Sequence, residues 1–205
     1  MAVLPSLVTV ADFAAEAGYT FGPAEEVQAH ALLRRASGVV RRYLRLDVSR
    51  ATTTDTFRLQ RADHHHFAVG SGGTVTLPQR PVEDVAEVSV NGVLTYDWWL
   101  EDVTLLVRSA PWDYPPAAHG PPEVDVTYTH GWDPVPDDIA AIVMQAANRA
   151  MTNPGQVRSE AVGGESTTYL IPSSGEALGV LLSRTEQRTL DRYRRTAGSM
   201  RMRPA

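Results

Sequence analysis

The fold is decided by the stretch EVDVTYTHGWDPVPDDIAAIVMQAANRAMTNPGQVRSEAVGGES, which runs from Glu123 to Ser166. Its first residues, Glu123 to Thr129, read as a strand that leads into a Gly-Trp-Asp-Pro corner. A helix follows, because apolar residues recur at the spacing that places them on one face. These residues are Ile139, Ile142, Val143, Ala146, Ala147, Ala150 and Met151. The small alanines on this face predict close packing against another helix.

Both ends of this helix are marked in the sequence. Pro136 suits its start, and Asp137 and Asp138 place carboxylates at the positive end of the helix dipole. We interpret the two aspartates as a helix start, because no carboxylate pair in the chain has a spacing typical of general acid–base catalysis. The sequence Asn153-Pro154-Gly155 predicts the end of the helix. From Gly155 to Gly175 no period is visible, and we expect a long loop of about twenty residues.

Length and composition indicate one globular domain, or one domain that carries an insertion. The chain has 205 residues, of which 43% are hydrophobic and 21% charged, so it can bury a core. No apolar run approaches the roughly 20 residues that span a bilayer. The N-terminus lacks the basic start of a signal peptide. We therefore expect synthesis in the cytoplasm.

Charge and residue usage exclude several kinds of chemistry. Cysteine and lysine are both absent, and all 19 basic residues are arginine. This excludes disulfides, thiol chemistry, Schiff-base lysines and the lysine of a phosphate-binding loop. The net charge is −5, yet the segment from Arg184 to the end carries seven arginines against two acidic residues. Such a basic end indicates docking onto an acidic partner or nucleic acid, or simply a solvated helix end.

Two helices are predicted near the N-terminus. The first is capped by Thr9 and ends at Gly18. The second begins at Pro23 and ends at about Leu46, and arginines lie off its apolar face: Arg34, Arg35, Arg41, Arg42 and Arg45. We interpret that arginine face as a solvated surface or as a contact with another subunit or with nucleic acid. A last helix is expected from Glu186 to about Arg195, capped by Ser183 or Thr185.

Between these helices the hydrophobic period changes to two, which predicts six or seven short antiparallel strands. They are Thr54–Gln60, Phe67–Gly70, Thr74–Leu77, Val85–Val90, Val93–Leu100, Thr104–Arg108 and Glu123–Thr129. Asn91-Gly92 predicts a hairpin between two of them. The expected fold class is α+β: a helical bundle framework of about four helices with an inserted antiparallel β domain, a small sandwich or barrel-like sheet. The helical parts are expected at 1–50 and 131–205 and the β domain at 51–130.

No motif in the sequence assembles a catalytic or metal site. Gly70-Ser71-Gly72-Gly73 is followed by neither a lysine nor a helix, and it predicts a hairpin turn. His64 and His66 share a face on a strand, but zinc sites use three or four protein ligands. We expect no metal or cofactor, and a small metal-dependent or hydrolytic enzyme that uses His64 and His66 remains an alternative. His130 is interpreted as a hydrogen-bonding corner residue.

Aromatic residues lie on or beside the predicted sheet, as Trp98-Trp99 and as Trp112-Asp113-Tyr114. Aromatic side chains are enriched at the centres of protein interfaces and also in β cores. The sequence leaves both interpretations open.

The central stretch resembles a recurrent segment of the head-to-tail adaptor (connector) proteins of long-tailed bacteriophages. The resemblance lies in Val126–Trp132, then Pro134, Pro136, Asp138 and Ile139. It continues in Arg149, Asn153-Pro154, Ser159-Glu160, Gly163-x-Glu165-Ser166 and in the C-terminal residues Glu186, Leu190, Arg192, Tyr193 and Arg194. About half of the chain is covered well, and the chain is most similar to the versions in phages of GC-rich actinobacteria.

The resemblance implies a structural virion protein that is not an enzyme. Adaptors of this kind form a ring of identical subunits, twelve-fold in symmetry, beneath the portal protein, and they join tail-proximal connector or stopper proteins. Viral genomic DNA passes through their channel without sequence-specific binding. The resemblance therefore implies a place in the head–tail neck of the virion, after synthesis in the host cytoplasm and without a membrane.

Contacts with the portal or with neighbouring subunits are expected at Asn153, Arg158, Glu160, Gly163, Gly164, Arg192, Arg194, Arg195, Arg201 and Arg203. A DNA-binding module built on the arginine face of the Pro23–Leu46 helix remains a further alternative. It would show a steep dependence of affinity on salt, and the net charge of −5 argues against it.

Overall fold

The computed structural model describes residues 4–18, 20–58, 74–101, 105–110, 122–152, 159–162, 165–168 and 180–194. The chain is an α+β protein that divides into two compact units. Met1–Arg45 and Val135–Ala205 form the helical unit, and Leu46–Pro134 forms the β unit. The predicted fold class, a helical framework with an inserted antiparallel β domain, is confirmed.

The helical unit contains α1 (Val10–Ala17), α2 (Pro23–Leu44), α3 (Asp137–Thr152) and α4 (Arg184–Asp191). Helices α2 and α3 pack against each other through the apolar faces that their periodicity predicts. The buried residues are Ala29, Leu32, Leu33, Ala36, Val40 and Leu44 of α2 and Ile139, Ile142, Val143, Ala146 and Ala147 of α3. Each fully buried Leu, Ile or Val contributes about 1.5–3 kcal/mol, so this pair of helices is the main source of stability in the unit.

Local capping explains where these helices begin and end. The Thr9 hydroxyl accepts a hydrogen bond from the Asp12 backbone N–H at 3.1 Å, and Gly18 ends α1 with a φ of 73°. At the start of α4, the Ser183 hydroxyl accepts from the Glu186 N–H, and the Glu186 carboxylate accepts from the Ser183 N–H. This reciprocal capping box identifies Ser183, and not Thr185, as the cap.

The prediction that α4 reaches Arg195 was wrong, because the helix ends at Asp191. Beyond it the backbone tightens, with the N–H groups of Tyr193 and Arg194 donating to carbonyls three residues earlier. The cause is tertiary, since the side chains of Arg192 and Tyr193 both contact Asp138.

The described part of the β unit contains seven antiparallel strands: β1 (Ala51–Arg58), β2 (Thr74–Thr76), β3 (Val82–Val90), β4 (Val93–Leu94), β5 (Trp98–Glu101), β6 (Leu105–Arg108) and β7 (Glu123–His130). They form one sheet in the order β1-β7-β3-β4 and a second in the order β2-β6-β5. Both sheets contribute side chains to one core, among them Val75, Leu106, Val126 and Tyr128. One predicted strand, Phe67–Gly70, lies outside the described residues, so the predicted total of six or seven strands stays a prediction.

The predicted hairpin at Asn91-Gly92 is confirmed, with φ values of 51° and 78° that fit a tight turn. The predicted continuous strand Val93–Leu100 was wrong. Thr95 donates both its N–H and its hydroxyl to the carbonyl of Val88. These bonds end β4, and the chain resumes as β5 in the second sheet.

A further hairpin lies in the region that we expected to be a long loop. Strands β8 (Ser159–Val162) and β9 (Glu165–Thr168) pair antiparallel, with Ser159 opposite Thr168. The expectation of a continuous loop over Gly155–Gly175 was therefore wrong in this part. The reason is that two short segments containing Val and Thr flank Gly163-Gly164, which is a weaker form of the same hairpin signal.

Several predicted features lie outside the described residues. They are the histidines 64–66, the glycine-rich turn 70–73, the predicted strand 67–70 and the aromatic residues 112 and 114. Among the helices that are described, none is long and apolar enough to cross a membrane.

Candidate functional site: the C-terminal clamp and the exposed surfaces

Polar side chains converge in the helical unit where α4 meets α3. Arg149 donates from Nη1 to Glu186 Oε1 at 2.7 Å and from Nη2 to Glu186 Oε2 at 3.0 Å. Its Nη2 also donates to the carbonyl of Leu181 at 3.0 Å. The Glu186 side chain is only 7% exposed, so the paired geometry offsets the cost of burying its charge. This bidentate contact fixes the start of α4 on the last turns of α3.

The turn after α4 is held by a second contact. The Tyr193 hydroxyl lies 2.8 and 3.0 Å from the two carboxylate oxygens of Asp138 and donates to them. Arg192 forms an ion pair with the same carboxylate at 3.2 Å. Burial, followed by the hydrogen bond to Asp138, raises the pKa of Tyr193. Asp138 therefore has a tertiary role in addition to its place in the first turn of α3, which is all that the sequence indicated.

A third contact joins α4 to α2. The Tyr43 hydroxyl donates to Asp191 Oδ1 at 2.6 Å, and this hydrogen bond is the main reason that the pKa of Tyr43 is raised. The guanidinium of Arg194 lies over the Tyr43 ring, 5.1 Å from its centroid. We call the three pairs Arg149–Glu186, Asp138–Tyr193 and Tyr43–Asp191 the C-terminal clamp. Sequence reasoning missed the role of Tyr43, and it named Glu186 only as the start of the last helix and among the residues of the family resemblance.

Three of the ten predicted interface residues lie in the described part of the chain. Arg192 and Arg194 flank the C-terminal clamp, and each already contacts an aromatic ring or a carboxylate of the helical unit. The Arg192 side chain is nevertheless 61% exposed. Glu160 lies on β8 opposite Thr167. The remaining predicted residues lie outside the described ranges: Asn153, Arg158, Gly163, Gly164, Arg195, Arg201 and Arg203.

The β unit exposes apolar side chains along β4, β5 and the segment between them. Val93, Leu94, Tyr96 and Trp99 are all about half exposed or more, and Tyr96 reaches 84%. The adjacent Trp98 packs against the core, and its Nε1 donates to the carbonyl of Thr95 at 3.0 Å. The core interpretation thus holds for Trp98, whereas Trp99 lies on the surface and its place in an interface stays a prediction.

The outer face of the larger sheet is polar and ordered by cross-strand pairs. Thr52 bonds Thr129 and Thr54 bonds Thr127 through their hydroxyls, at 2.9 and 2.8 Å. Arg58 pairs with Glu123 at 2.7 Å in the last register position of the same two strands. The two threonine pairs stabilise the sheet by about 0.2–1 kcal/mol each. Every group in these pairs is matched within the sheet, so the face carries no feature of a catalytic site.

The corner after β7 is built by backbone contacts. The N–H of Gly131 donates to the carbonyl of Pro81, and the N–H of Trp132 donates to the carbonyl of Val48. Gly131 has a φ of 90°, and a Cβ at this position would lie 2.4 Å from the carbonyl oxygen of Ser49. Only glycine fits this corner.

His130 lies beside this corner and is 2% exposed. We expected it to form a hydrogen bond, but its buried Nδ1 has no partner among the described residues, and the backbone bonds described above hold the corner instead. Burial lowers the pKa of His130, while the charges of Asp47 and Asp55 act in the opposite direction. The neighbouring Tyr128 donates to Asp55 Oδ2 at 2.6 Å. This cluster is closed to solvent at its centre, so it does not form an accessible acid–base site.

Within the described ranges, no three His, Asp or Glu side chains are arranged to hold a metal ion. The alternative of a metal-dependent enzyme depends on His64 and His66, which lie outside those ranges. The described geometry offers packing, capping and pairing groups, together with exposed apolar side chains on β4, β5 and the segment between them.

The chain is similar in fold to proteins of known structure. No protein-family model matches the chain, and no curated protein sequence matches it. Its fold is similar to that of a chain in the neck of an empty gene transfer agent (GTA) particle computed with C6 symmetry. That chain is 20% identical with a TM-score of 0.55, over 100% of this chain and 97% of the other.

Two further solved structures share the fold. A chain of the virion of a native GTA particle is 18% identical with a TM-score of 0.55, over 96% of this chain and 93% of the other. A chain of the neck of a native GTA particle computed with C12 symmetry is 16% identical with a TM-score of 0.51, over 100% and 97%. The whole chain, including both units, therefore has the fold of chains found in phage-like particles.

Proposed function

We propose that this chain is a structural protein of the virion neck, a head-to-tail adaptor that forms a ring beneath the portal and extends the DNA channel toward the tail. The observation that carries the proposal is the fold similarity over the full chain to chains from GTA necks. A second, independent line is the resemblance of the Val126–Ile139 segment and the C-terminal turn to phage adaptors. All basic residues of the chain are arginine. This composition supports the proposal that the adaptor is of the kind found in phages of GC-rich actinobacteria.

A ring of identical subunits fits the same comparisons, because the related necks were computed with C6 and C12 symmetry. We favour twelve copies, as in the adaptors that the sequence resembles. A ring with cyclic symmetry uses the same two surfaces on every copy, so each subunit needs one pair of complementary faces. Portal protein on one side and stopper or tail proteins on the other complete the proposed set of partners, with genomic DNA in the channel.

The C-terminal clamp suggests how the portal is reached. It holds α4 against α2 and α3, and so it fixes the position of Arg194, the last described residue before the basic end. Those last residues contain Arg195, Arg201 and Arg203 and no acidic residue. We propose that the clamp is a rigid base from which this basic end binds the portal.

Deletion of the gene in the producing strain tests the function itself. The proposal predicts DNA-filled heads that lack tails, with normal particles restored by the unmodified gene in trans. Electron microscopy of the particles distinguishes the outcomes. Complete, infectious or transducing particles without the protein would contradict a role in the neck.

Portal binding is tested separately with variants that leave the clamp intact. Replacement of Arg195, Arg201 and Arg203 by alanine should reduce binding to the portal in a pull-down. The matched control replaces Arg184 and Arg188, which lie exposed on α4. Truncation of 198–205 with alanine at Arg192, Arg194 and Arg195 is a stronger test, which also removes the contacts of Arg192 with Asp138 and of Arg194 with Tyr43. Unchanged portal binding in both forms would remove the basic end from the interface.

A further inference from the structure

Charge is segregated along the N-terminal helices. Residues 1–33 contain four acidic side chains and no basic one, whereas residues 34–45 contain five arginines and no acidic one. The acidic residues are Asp12, Glu16, Glu25 and Glu26. The boundary falls near the middle of α2, so one helix carries a negative end and a positive end.

Four of the five arginines form an exposed group that we call the arginine stripe: Arg34, Arg35, Arg42 and Arg45. The fifth, Arg41, turns inward and donates to the carbonyl of Pro5 at 2.7 Å. No described carboxylate pairs with the stripe. Neighbouring arginines that no described carboxylate neutralises repel one another. An external partner with negative charge would remove this cost.

Gly38 lies at the centre of the arginine stripe and is exposed. A Cβ at this position would meet nothing within 4 Å, so packing inside the chain does not require glycine here. Glycine in a helix interior costs about 1 kcal/mol relative to alanine. On the same side of α2, at a helical rotation of about 100° per residue, lie Ala31 and Val27, and Val27 is 73% exposed. A bare backbone flanked by apolar and basic side chains suits close approach of another protein surface.

The acidic residues lie elsewhere on the unit. Asp12 and Glu25 take part in capping α1 and α2, whereas Glu16 and Glu26 form no ion pair with a described residue. Glu26 is about 120° around α2 from Gly38 and about 18 Å from it along the axis. A head-to-tail contact between identical subunits requires two different, complementary surfaces on different sides of one subunit. The arginine stripe and the pair Glu16 and Glu26 meet this requirement.

We propose that the arginine stripe binds the acidic end, Glu16 and Glu26, of the next copy of this chain. The inference rests on the proposed ring and names its subunit contact. Rotation about a cyclic axis keeps equivalent units at the same height, so the helical unit of one copy meets the helical unit of the next. DNA is the other polyanion in the proposed assembly, but the exposed Val27 and the half-buried Ala31 on the same face match a protein surface better than a phosphate backbone.

Charge reversal tests this contact in three samples. The first variant is R34E/R35E, and the second is E16R/E26R. Each variant presents like charges at the contact. We therefore expect its self-association to be at least about tenfold weaker than that of the unmodified chain. When the two variants are mixed, both contacts become complementary again, and association should return. Sedimentation velocity at low salt, with and without the portal, measures the self-association of each variant and of their mixture.

A matched control is R184E/R188E, which changes the net charge by the same amount as R34E/R35E, at exposed positions of α4. This control should leave self-association unchanged.

Rings that form equally well from R34E/R35E would overturn this contact and leave the neck function standing. So would weakened variants that fail to recover on mixing, or an unmodified chain that self-associates neither alone nor on the portal. If R34E/R35E loses DNA binding and keeps self-association, the stripe belongs to DNA and the proposal is wrong. The neck function fails separately, if particles assemble normally without the gene.

Discussion

Arg149 and Glu186 meet across 37 positions of the chain as a bidentate ion pair, with N–O distances of 2.7 and 3.0 Å. Because Glu186 also caps α4, one carboxylate both starts the helix and fastens it to α3. The pair therefore fixes the start of α4 on the last turns of α3.

Replacement of Arg149 by alanine should lower the free energy of unfolding by about 2–4 kcal/mol, because Glu186 is left charged and buried. The estimate stays below that for a fully buried pair, since Arg149 itself is 33% exposed. Urea denaturation measures this change in the free energy of unfolding. Arg188→Ala on the exposed side of α4 is the control and should change stability by less than about 0.5 kcal/mol. Equal effects of the two substitutions would contradict the clamp.

Removal of the Tyr193 hydroxyl in Tyr193→Phe should cost about 1 kcal/mol, the usual net value of a hydrogen bond to a charged acceptor that is partly exposed. A double-mutant cycle with Asp138→Asn isolates the pair. Coupling close to zero would mean that the contact contributes nothing to the position of the last turn. The Tyr43→Phe substitution tests the contact with Asp191 in the same way.

Replacement of glycine by alanine should change the stability in opposite directions at two positions of the chain. Gly131→Ala places a methyl group 2.4 Å from the Ser49 carbonyl oxygen at a φ of 90°, and we expect a loss of at least about 3 kcal/mol or failure to fold. Gly38→Ala meets open space in a helix and should gain about 1 kcal/mol. Thermal denaturation compares them. A tolerated Gly131→Ala would show that the corner after β7 is not as close as described.

The buried His130 should make stability depend on pH. Its pKa lies below the usual value of 6.5 in the folded chain, so below pH 6.5 the unfolded chain binds the proton more readily. Stability is then complete above that pH and falls as the pH decreases further. Asp47 and Asp55 moderate the effect. His130→Gln should flatten the slope of unfolding free energy between about pH 5 and 7, while exposed His30→Gln should leave it unchanged.

The sequence predicted those elements whose signals are local. The bounds of α1 follow from Thr9 and Gly18, and the hairpin follows from Asn91-Gly92, because capping and turn geometry depend on neighbouring residues. The apolar face of α3 is confirmed residue by residue apart from Ala150 and Met151, which are half-buried. Periodicity is a reliable signal wherever one face of a long helix packs on another helix.

The errors arose where distant residues decide the local structure. The end of α4 is set by Asp138, which lies 55 positions before Tyr193, and the split of Val93–Leu100 is set by bonds of Thr95 to Val88. For the same reason the sequence did not reveal that Arg192 and Arg194 contact Asp138 and Tyr43. Spacing along the chain carries no information on such contacts.

The residues that carry the family resemblance now have physical explanations. Gly131 permits the close backbone approach at the corner, Arg149 and Glu186 form the clamp, and Leu190 is fully buried beside them. These residues specify the fold and not a binding specificity.

The proposal of a ring under the portal is tested most directly by electron microscopy of the purified chain bound to the portal of its own particle. The account predicts class averages in which a closed ring of identical subunits, twelve-fold in symmetry, lies on the tail-facing side of the portal with its channel open. A portal that remains bare, or a chain that binds it singly and at scattered positions, would contradict the account.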